Sequence, residues 1–226
     1  MSFSAVIVAA GSGRRAGGAK QWRDLRGKAV ARWSVEAFLA AGAKEIVLVI
    51  PPGDQERAAE ALAGLRGWRA VEGGAERRDS VLNGLAALDC PPEQPVLVHD
   101  AARPLLTTRV IAELVQAARH ADGALPALAV ADTLKRQDDP SAPLITQSRE
   151  GLWRAQTPQA FRRSVIEAAY AAWPSGEAPT DEASVVERHG GRVVLTPGDP
   201  RLLKLTYPED FEMAEALAGA VRTTRI

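Results

Sequence analysis

Short apolar runs alternate with amphipathic stretches along the first 130 residues of the chain. Runs with the length and composition of buried strands occupy residues 5–10, 45–50, 68–71, 95–98 and 124–130. Apolar residues recur with helical spacing at residues 30–41, 55–65, 77–88 and 107–121. Continuous apolar strands separated by helices are typical of a mostly parallel sheet with helices on both faces. The pattern predicts a single α/β, Rossmann-like domain over residues 1–226.

The regular alternation is interrupted at residues 132–150. A strong turn signal at residues 138–143 is flanked by short β-like pieces at 133–135 and 144–146. These features predict a β-hairpin arm that protrudes from the domain, and a disordered loop is the alternative. After the arm, the pattern predicts helices at 158–173 and 181–189, strands at 192–195 and 202–205, and a final helix.

The composition argues against several classes of protein. The 28 Lys and Arg residues balance the 28 Asp and Glu residues, so the chain lacks the basic field of a nucleic-acid or membrane-surface protein. No apolar run reaches the roughly 20 residues that span a bilayer, and the N-terminus lacks a basic leader. Cys90 is the single cysteine, which excludes an internal disulfide and fits a reducing compartment. We expect a cytoplasmic protein without nucleic-acid or membrane partners.

A glycine-rich, basic loop follows the first predicted strand. It contains Gly11, Gly13, Arg14, Arg15 and Lys20. Glycines allow the backbone to approach a ligand and to turn its amides toward it, and the cations match the charge of a triphosphate. Ligands of such sheets bind at the carboxyl ends of the strands, where this loop lies. The loop therefore predicts a site for nucleotide phosphates.

The same loop also fits the dinucleotide-binding fingerprint, with Gly11, Gly13 and Ala16 in the glycine positions. A NAD-binding oxidoreductase is therefore one alternative function, and a non-catalytic nucleotide sensor is another. Two arginines in the tight turn weigh against the oxidoreductase. In addition, the second predicted strand ends in residues 50–52, Ile-Pro-Pro, rather than in an acidic residue that would bind a ribose.

Two further segments follow predicted strands and should reach the same rim of the sheet. In the first, Gly74 suits close contact with a base or sugar and Ser80 could bind a base edge, although an ordinary strand-to-helix turn is equally consistent. In the second, Asp100 suits Mg²⁺ or a hydroxyl group, and Arg103 suits a phosphate. An Asp–Arg pair that braces the loop explains the second segment as well. The three histidines form no metal-ligand pattern.

Lys204 interrupts an apolar sequence, Leu-Leu-Lys-Leu at residues 202–205, where a strand is predicted. A buried lysine requires an anionic partner, so we expect Lys204 to be buried and to contact a ligand. Thr157 precedes Pro158, a pair that is also typical of a helix start.

Taken in order, these and neighbouring motifs resemble those of the 2-C-methyl-D-erythritol 4-phosphate cytidylyltransferases, nucleotidyltransferases of non-mevalonate isoprenoid synthesis. The resemblance covers nearly the whole chain. Its specific segments are His99-Asp100-Ala101-Ala102-Arg103-Pro104 and Thr157-Pro158-Gln159-Ala160-Phe161. Its other segments are Ala9-Ala10-Gly11-Ser12-Gly13-Arg14-Arg15, Lys20-Gln21, Gly73-Gly74, Arg77, Asp79-Ser80-Val81, Asp132-Thr133-Leu134-Lys135, Leu152-Trp153, Thr180-Asp181-Glu182-Ala183-Ser184 and Leu203-Lys204-Leu205-Thr206.

The resemblance implies transfer of CMP from CTP to 2-C-methyl-D-erythritol 4-phosphate, with Mg²⁺ bound mainly through the CTP phosphates and no metal site of the protein's own. It implies that the catalytic cations are Arg15, Lys20 and Lys204. The implied nucleotide-binding positions are Ala9, Ala10, Gly11, Gly13, Gly74, Ser80 and Asp100. The implied positions around the sugar phosphate are Asp100, Arg103, Thr133, Arg149, Thr157 and Thr180.

The resemblance also implies a homodimer in which the arm reaches the partner's site, so that Thr133 and Arg149 complete the site of a second copy. Two departures from the family pattern are Ala75, where many members have an acidic residue, and a shortened loop before Lys20. Some relatives carry a fused cyclodiphosphate synthase domain, and the length of 226 residues leads us to expect none here. A cytidylyltransferase for a pentitol phosphate, such as ribitol 5-phosphate, shares several of the motifs and is the nearest alternative.

Overall fold

A computed structural model of the chain describes residues 2–11, 13 and 18–223. The strands are β1 (Ser4–Val8), β2 (Asp24–Leu25), β3 (Lys28–Ala29), β4 (Glu45–Ile50), β5 (Trp68–Glu72), β6 (Pro95–Asp100), β7 (Gly123–Ala129), β8 (Leu134–Arg136), β9 (Ile145–Gln147), β10 (Trp153–Ala155), β11 (Gln159–Arg162) and β12 (Val193–Pro197). The helices are α1 (Val30–Ala40), α2 (Gln55–Ala61), α3 (Arg77–Ala86), α4 (Thr108–Ala117), α5 (Arg163–Ala171), α6 (Glu182–Arg188) and α7 (Glu209–Thr223), with a short 3-10 helix at Lys20–Trp22. Within the described ranges, no helix combines the length and apolar character needed to cross a membrane.

The five apolar runs of the first 130 residues all form strands of one mixed sheet, which confirms the predicted fold class. Strands β5, β4, β1 and β6 are adjacent and parallel. Beyond them lie β10 and β11, which run antiparallel to their neighbours, then β7, and then β12, which is parallel to β7. Ala124 and Ala127 of β7 pair with β12 as well as with β11 or β10, so β7 lies between them.

Helices cover both faces of this sheet because the strand residues alternate between two apolar layers. Ile7 of β1 belongs to a cluster with Phe38 of α1 and Leu114 of α4. Val6, its neighbour, belongs to a second cluster with Leu85 of α3 and residues of α5 and α6. Complete burial of such side chains contributes about 1.5–3 kcal/mol each. The two layers therefore fix where the carboxyl ends of the strands lie.

A third, smaller cluster fastens the C-terminal part of the chain beside the glycine-rich loop. It contains Leu25 of β2, Val30, Leu205, Phe211 and Ala214. The guanidinium of Arg23 lies 3.8 Å from the centre of the Phe211 ring. This packing places residues 202–206 next to the 3-10 helix that begins at Lys20.

Strands β8 and β9 pair antiparallel and form a separate two-stranded sheet in the segment predicted as an arm. Except for Leu134 and Ala142, which are half-buried, the side chains of residues 132–150 are exposed. The hairpin is therefore present in this structure. Its part in a dimer stays a prediction.

Two predicted elements were wrong. Residues 158–162, predicted as the start of a helix, instead contain β11, and α5 begins only at Arg163. Phe161 of β11 pairs with both Val96 and Gly123, so insertion between two strands outweighs the local helical pattern. Residues 202–205 form no strand. The segment crosses the end of the sheet, where the N–H of Leu205 donates to the carbonyl of Ala102 at 2.8 Å.

Candidate active site

A cleft of about 650 Å³ opens at the carboxyl ends of the parallel strands. It is lined by nine of the predicted site residues: Ala9, Ala10, Gly11, Gly13, Lys20, Gly74, Ser80, Asp100 and Lys204. The sheet explains why distant segments meet here, because Val8 at the end of β1 pairs with Asp100 at the end of β6. Arg15, also predicted for this site, lies outside the described residues.

Gly13 closes the glycine-rich loop. Its φ is +63°, and a Cβ atom at this position would lie 1.7 Å from the carbonyl oxygen of Gly18. The N–H of Gly18 donates to the carbonyl of Gly13 at 3.1 Å. The close approach leaves no room for a side chain, so the backbone conformation itself requires glycine at this point of the cleft wall.

Gly74 and Ser80 belong to the turn that opens α3. A Cβ atom on Gly74 would lie 2.2 Å from the Cβ of Asp79. The Ser80 hydroxyl accepts from the N–H of Gly74 at 3.2 Å and donates to the carbonyl of Glu76 at 3.1 Å. The residues therefore form a tight strand-to-helix turn that also lines the cleft, and contact with a base or sugar stays a prediction.

Lys20 reaches across the cleft to the C-terminal segment. Its ammonium group donates to the carbonyl of Leu205 at 2.6 Å. The next two residues, Gln21 and Trp22, are buried, and the Trp22 indole donates to Asp54 at 2.7 Å. The short 3-10 helix is thereby anchored, which holds the start of the Lys20 side chain at the cleft.

Asp100 is the centre of an ion-pair network. Its Oδ1 accepts from Arg77 at 3.1 and 3.2 Å, and its Oδ2 accepts from Lys204 at 2.7 Å. Arg77 also donates to both carboxylate oxygens of Glu182, at 2.6 and 2.9 Å. Glu182 is fully buried and accepts a further hydrogen bond from the Tyr170 hydroxyl at 3.0 Å. Two carboxylates and two cations therefore balance one another beside the cleft.

This balance keeps the carboxylate of Asp100 ionised. Burial by itself raises the pKa of Asp100, but the charges of Arg77 and Lys204 outweigh burial and lower it below its ordinary value. Burial and the neighbouring Glu182 raise the pKa of Tyr170, so its hydroxyl remains a donor. Removal of one partner from a buried pair of this kind costs about 3–5 kcal/mol. The network is thus a structural support of the cleft as well as part of its wall.

Thr157 and His99 form a buried chain of hydrogen bonds behind Asp100, called the relay below. The Thr157 hydroxyl accepts from the backbone N–H of Asp100 at 3.1 Å and lies 3.2 Å from Nδ1 of His99. Nε2 of His99 lies 3.1 Å from the carbonyl of Arg103. Because a carbonyl can only accept, Nε2 carries the ring proton and Nδ1 accepts from Thr157. Burial lowers the pKa of His99 to about 4, which keeps the ring neutral.

The predicted sugar-phosphate residues differ in their placement. Arg103 donates to the carbonyl of Leu202 and is close enough to influence Asp100 electrostatically, but it does not line the cleft. The side chains of Thr133, Arg149 and Thr180 are exposed and lie outside the cleft lining. Within the described residues of one chain, the cleft therefore brings together the predicted nucleotide-binding positions and leaves Thr133, Arg149 and Thr180 outside.

The expectation that Lys204 is buried within a strand was wrong. The side chain is 43% exposed, and residues 202–206 have no strand conformation. The anionic partner that the argument required does exist, but it is Asp100 of the protein itself. The segment lies at the mouth of the cleft, where water can reach the ammonium group, so burial was not needed to give Lys204 a carboxylate partner.

Arg77, Glu182 and Gln21 are cleft or network residues that were not singled out from the sequence. Arg77 lies in the Gly73–Ser80 segment, and Glu182 follows Thr180-Asp181, so both were within quoted motifs. Arg77 and Glu182 are 105 residues apart in the chain, and no spacing rule links such positions. A glutamate in the buried first turn of α6 was the one signal in the sequence, since a buried carboxylate needs a cationic partner.

The family model of the 2-C-methyl-D-erythritol 4-phosphate cytidylyltransferases matches residues 3–220. The bifunctional enzyme IspD/IspF of Caulobacter vibrioides strain NA1000 is 61% identical over 229 residues, which cover 100% of this chain and 59% of that protein. The chain therefore spans about 59% of the length of that bifunctional relative.

Two further relatives have about the same length as this chain. The 2-C-methyl-D-erythritol 4-phosphate cytidylyltransferase of Cereibacter sphaeroides strain ATCC 17023 is 46% identical over 222 residues, covering 96% of this chain and 97% of that protein. The crystal structure of the enzyme of the same name from Thermus thermophilus is 35% identical, with a TM-score of 0.82 over 97% of this chain and 100% of that one.

The relay through His99 predicts how stability depends on pH. The pKa of His99 is lowered from 6.5 to about 4 in the folded state, so the unfolded chain binds more protons between these values. The free energy of unfolding should therefore fall by about 3 kcal/mol from this residue as the pH drops from 6.5 to 4. Urea unfolding across this range should show a flatter pH dependence for His99→Gln, while the surface variant His120→Gln should keep the wild-type slope. An unchanged slope in His99→Gln would contradict the neutral relay.

Proposed function

The chain belongs to the 2-C-methyl-D-erythritol 4-phosphate cytidylyltransferase family, and we propose that it transfers CMP from CTP to 2-C-methyl-D-erythritol 4-phosphate with release of pyrophosphate. The observation that carries the proposal is the cleft itself. A tight glycine loop, Lys20 and Lys204 converge there at the carboxyl ends of the strands. Such a site suits a ligand with several negative charges. A cytoplasmic location, expected from the single cysteine, is part of the proposal.

The reaction is an in-line displacement at the α-phosphorus of CTP. A phosphate oxygen of the sugar phosphate forms the new O–P bond as the bond to pyrophosphate breaks. The attacking phosphate monoester is already an anion near neutral pH, so no residue has to remove a proton. The barrier comes from bringing two anions together, and the protein's contribution is positioning and neutralisation of charge.

Lys20, together with Arg15, neutralises charge on the leaving pyrophosphate, and Lys204 contacts the α-phosphate. In the structure, Lys20 donates to the Leu205 carbonyl and Lys204 to Asp100. A phosphate oxygen is a stronger acceptor for Lys20 than a neutral carbonyl. Lys204 can turn toward a phosphate because Asp100 keeps its ion pair with Arg77. Both lysines thus have partners within the protein that a phosphate can replace.

Mg²⁺ fits the cleft as an ion bound mainly through the CTP phosphates. No cluster of three or more His, Cys, Asp or Glu side chains that could hold a metal occurs in the described part of the chain. Asp100 is engaged by cations at both oxygens, so it offers one metal ligand at most. When bound, Mg²⁺ offsets charge on the phosphate oxygens.

We place the sugar phosphate near Asp100, Arg103, Thr157 and Thr180, with Thr133 and Arg149 supplied by the arm of a second copy. Large apolar side chains are exposed along and beside the arm. They are Leu144, Ile145, Leu152 and Trp153, with exposed fractions of 40–63%. Such side chains favour burial against another surface, which supports a homodimer. It also explains why the arm residues lie outside the cleft lining of one chain.

The oxidoreductase alternative is wrong, because the chain belongs to a nucleotidyltransferase family. Transfer to a pentitol phosphate differs only in the acceptor and can be measured in the same assay. The purified protein is incubated with CTP, Mg²⁺ and methylerythritol phosphate, and pyrophosphate release is followed. We expect turnover with this pair, and little turnover when UTP or ATP replaces CTP or ribitol 5-phosphate replaces the acceptor. Faster turnover with ribitol 5-phosphate would assign the alternative, and CTP binding without turnover would indicate a sensor.

Replacement of Lys20 tests the charge-neutralising role. Lys20→Ala should lower kcat at least tenfold, because loss of one such donor costs about 2–4 kcal/mol of transition-state stabilisation. Lys28→Ala is the matched control, since Lys28 pairs with Glu36 outside the cleft and should keep near wild-type turnover. Unfolding curves establish that both variants are folded. Near-normal turnover in Lys20→Ala would refute the assignment.

Arg149 tests the placement of the arm. Arg149→Ala should raise KM for the sugar phosphate more than KM for CTP, because the arm serves the acceptor side of the site. Equal changes in the two constants would argue against this placement. At a sugar-phosphate concentration well below KM, where Arg149→Ala alone is slow, a mixture of Lys20→Ala and Arg149→Ala chains should reach about a quarter of wild-type activity if the arm acts across a dimer. Half the dimers are then mixed, and each has one intact site. No recovery after subunit exchange would place Arg149 in its own chain's site.

A further inference from the structure

Glu182 is a fully buried carboxylate that does not belong to the cleft lining. Its partner Arg77 does line the cleft, and the Arg77 side chain is 31% exposed. Nη1 and Nη2 of Arg77 donate to the two oxygens of Glu182, at 2.6 and 2.9 Å. Nε and Nη2 donate to Oδ1 of Asp100, at 3.2 and 3.1 Å. One guanidinium is therefore held on two edges, by a carboxylate behind the cleft and by a carboxylate of the cleft wall.

Three hydrogen bonds from neighbouring elements hold Glu182 in place. Gln159 of β11 donates to the carboxylate of Asp181 and accepts from the N–H of Ala183, both at 2.8 Å, so it binds the residues on either side of Glu182. The hydroxyl of Tyr170, in α5, donates to Oε1 of Glu182 at 3.0 Å. Because β11 pairs with β6, the carboxylate is tied to the strand next to the one that ends at the cleft.

A guanidinium beside a phosphate site has competing acceptors. Arginine binds phosphate oxygens in the same bidentate way as it binds carboxylates. If phosphates drew Arg77 away, Lys204 would be the remaining ion-pair partner of Asp100 among the described residues. Lys204 would then be held on Asp100, and the site would lose the cation that we assign to the α-phosphate.

We propose that Glu182 is a positioning residue for the transfer reaction. It holds the guanidinium of Arg77 on Asp100 and compensates its charge, so that the substrate phosphates do not draw Arg77 away. The identity of these phosphates rests on the proposed function. Glu182 is buried outside the cleft lining and contacts neither substrate. Its effect passes through Arg77 to Asp100 and from there to Lys204.

Glu182→Gln tests this role, because glutamine has the same shape but lacks the charge. The charge of Arg77 is then less compensated, so pyrophosphate should bind at least about threefold more tightly in calorimetric titrations at low salt. The kcat for CMP transfer should fall about tenfold or more, because Arg77 and Asp100 are no longer held in one geometry. A purely structural role predicts a different result, since a damaged cleft would bind pyrophosphate more weakly.

Glu36→Gln is the matched control, since Glu36 also pairs with two cations, Lys28 and Arg32, and lies outside the cleft. It changes the net charge of the chain by the same amount and should leave pyrophosphate affinity and kcat near their wild-type values. In the double variant Arg77→Gln/Glu182→Gln, the gain in pyrophosphate affinity should disappear, because the uncompensated guanidinium is absent. A gain that persists in the double variant would overturn the proposal.

If Glu182→Gln does not fold, Glu182→Asp provides the test. Aspartate keeps the charge but is one methylene shorter, so it cannot bind both nitrogens from the same backbone position. Its kcat should fall while its pyrophosphate affinity stays near the wild-type value. Wild-type kcat or weaker pyrophosphate binding in either variant would overturn the proposal. Failure of the proposed function is distinguishable, because the wild-type protein would then release no pyrophosphate from CTP and the sugar phosphate.

Discussion

The charge balance around Asp100 is the interaction on which the cleft depends. It joins parts of the chain that are about one hundred residues apart, since Asp100 pairs with Lys204 and Arg77 pairs with Glu182. The sheet brings the strand ends together, but strand ends are followed by loops that apolar packing does not orient. Arg77 orients one of these loops because its guanidinium is shared between Asp100 and a carboxylate that the α5–α6 layer buries completely. Asp100 is in turn fixed from behind by the relay through Thr157 and His99.

The sequence predicted the fold best where burial alone decides the structure. The run at 45–50 matches β4 at both ends, since a strand covered on both faces must be continuously apolar. Residues 158–162 have no comparable signal. Four residues of β11 run directly into α5, and their strand conformation comes from pairing with β6 and β7, which are distant in sequence. Residues 202–205 resemble a strand, yet their backbone groups bond to a loop at the end of the sheet.

The residues of the site could likewise be predicted only where the local sequence is sufficient to indicate their role. The glycines that line the cleft, such as Gly11, Gly13 and Gly74, could be predicted because glycines after strands mark a close approach of the main chain. The reasoning about Lys204 correctly required an anion but could not reveal that this anion is Asp100. Arg77 and Glu182 could not be paired from the sequence, since their contact depends on how α3 and α6 cover one face of the sheet.

A site for two anionic substrates has to keep its cations in place when both substrates are absent. Unpaired lysines on one wall would repel each other, while permanently paired ones could not contact a phosphate. Here Asp100 has two cationic partners, and one of them, Arg77, is itself bound by the buried Glu182. Release of Lys204 toward a phosphate therefore leaves Asp100 in an ion pair with Arg77, although this guanidinium is then shared by two carboxylates. A carboxylate with Lys204 as its sole partner would oppose that release, because the full cost of a buried, unpaired charge would be incurred. The second cation on Asp100 thus lowers the cost of moving Lys204 away from this carboxylate.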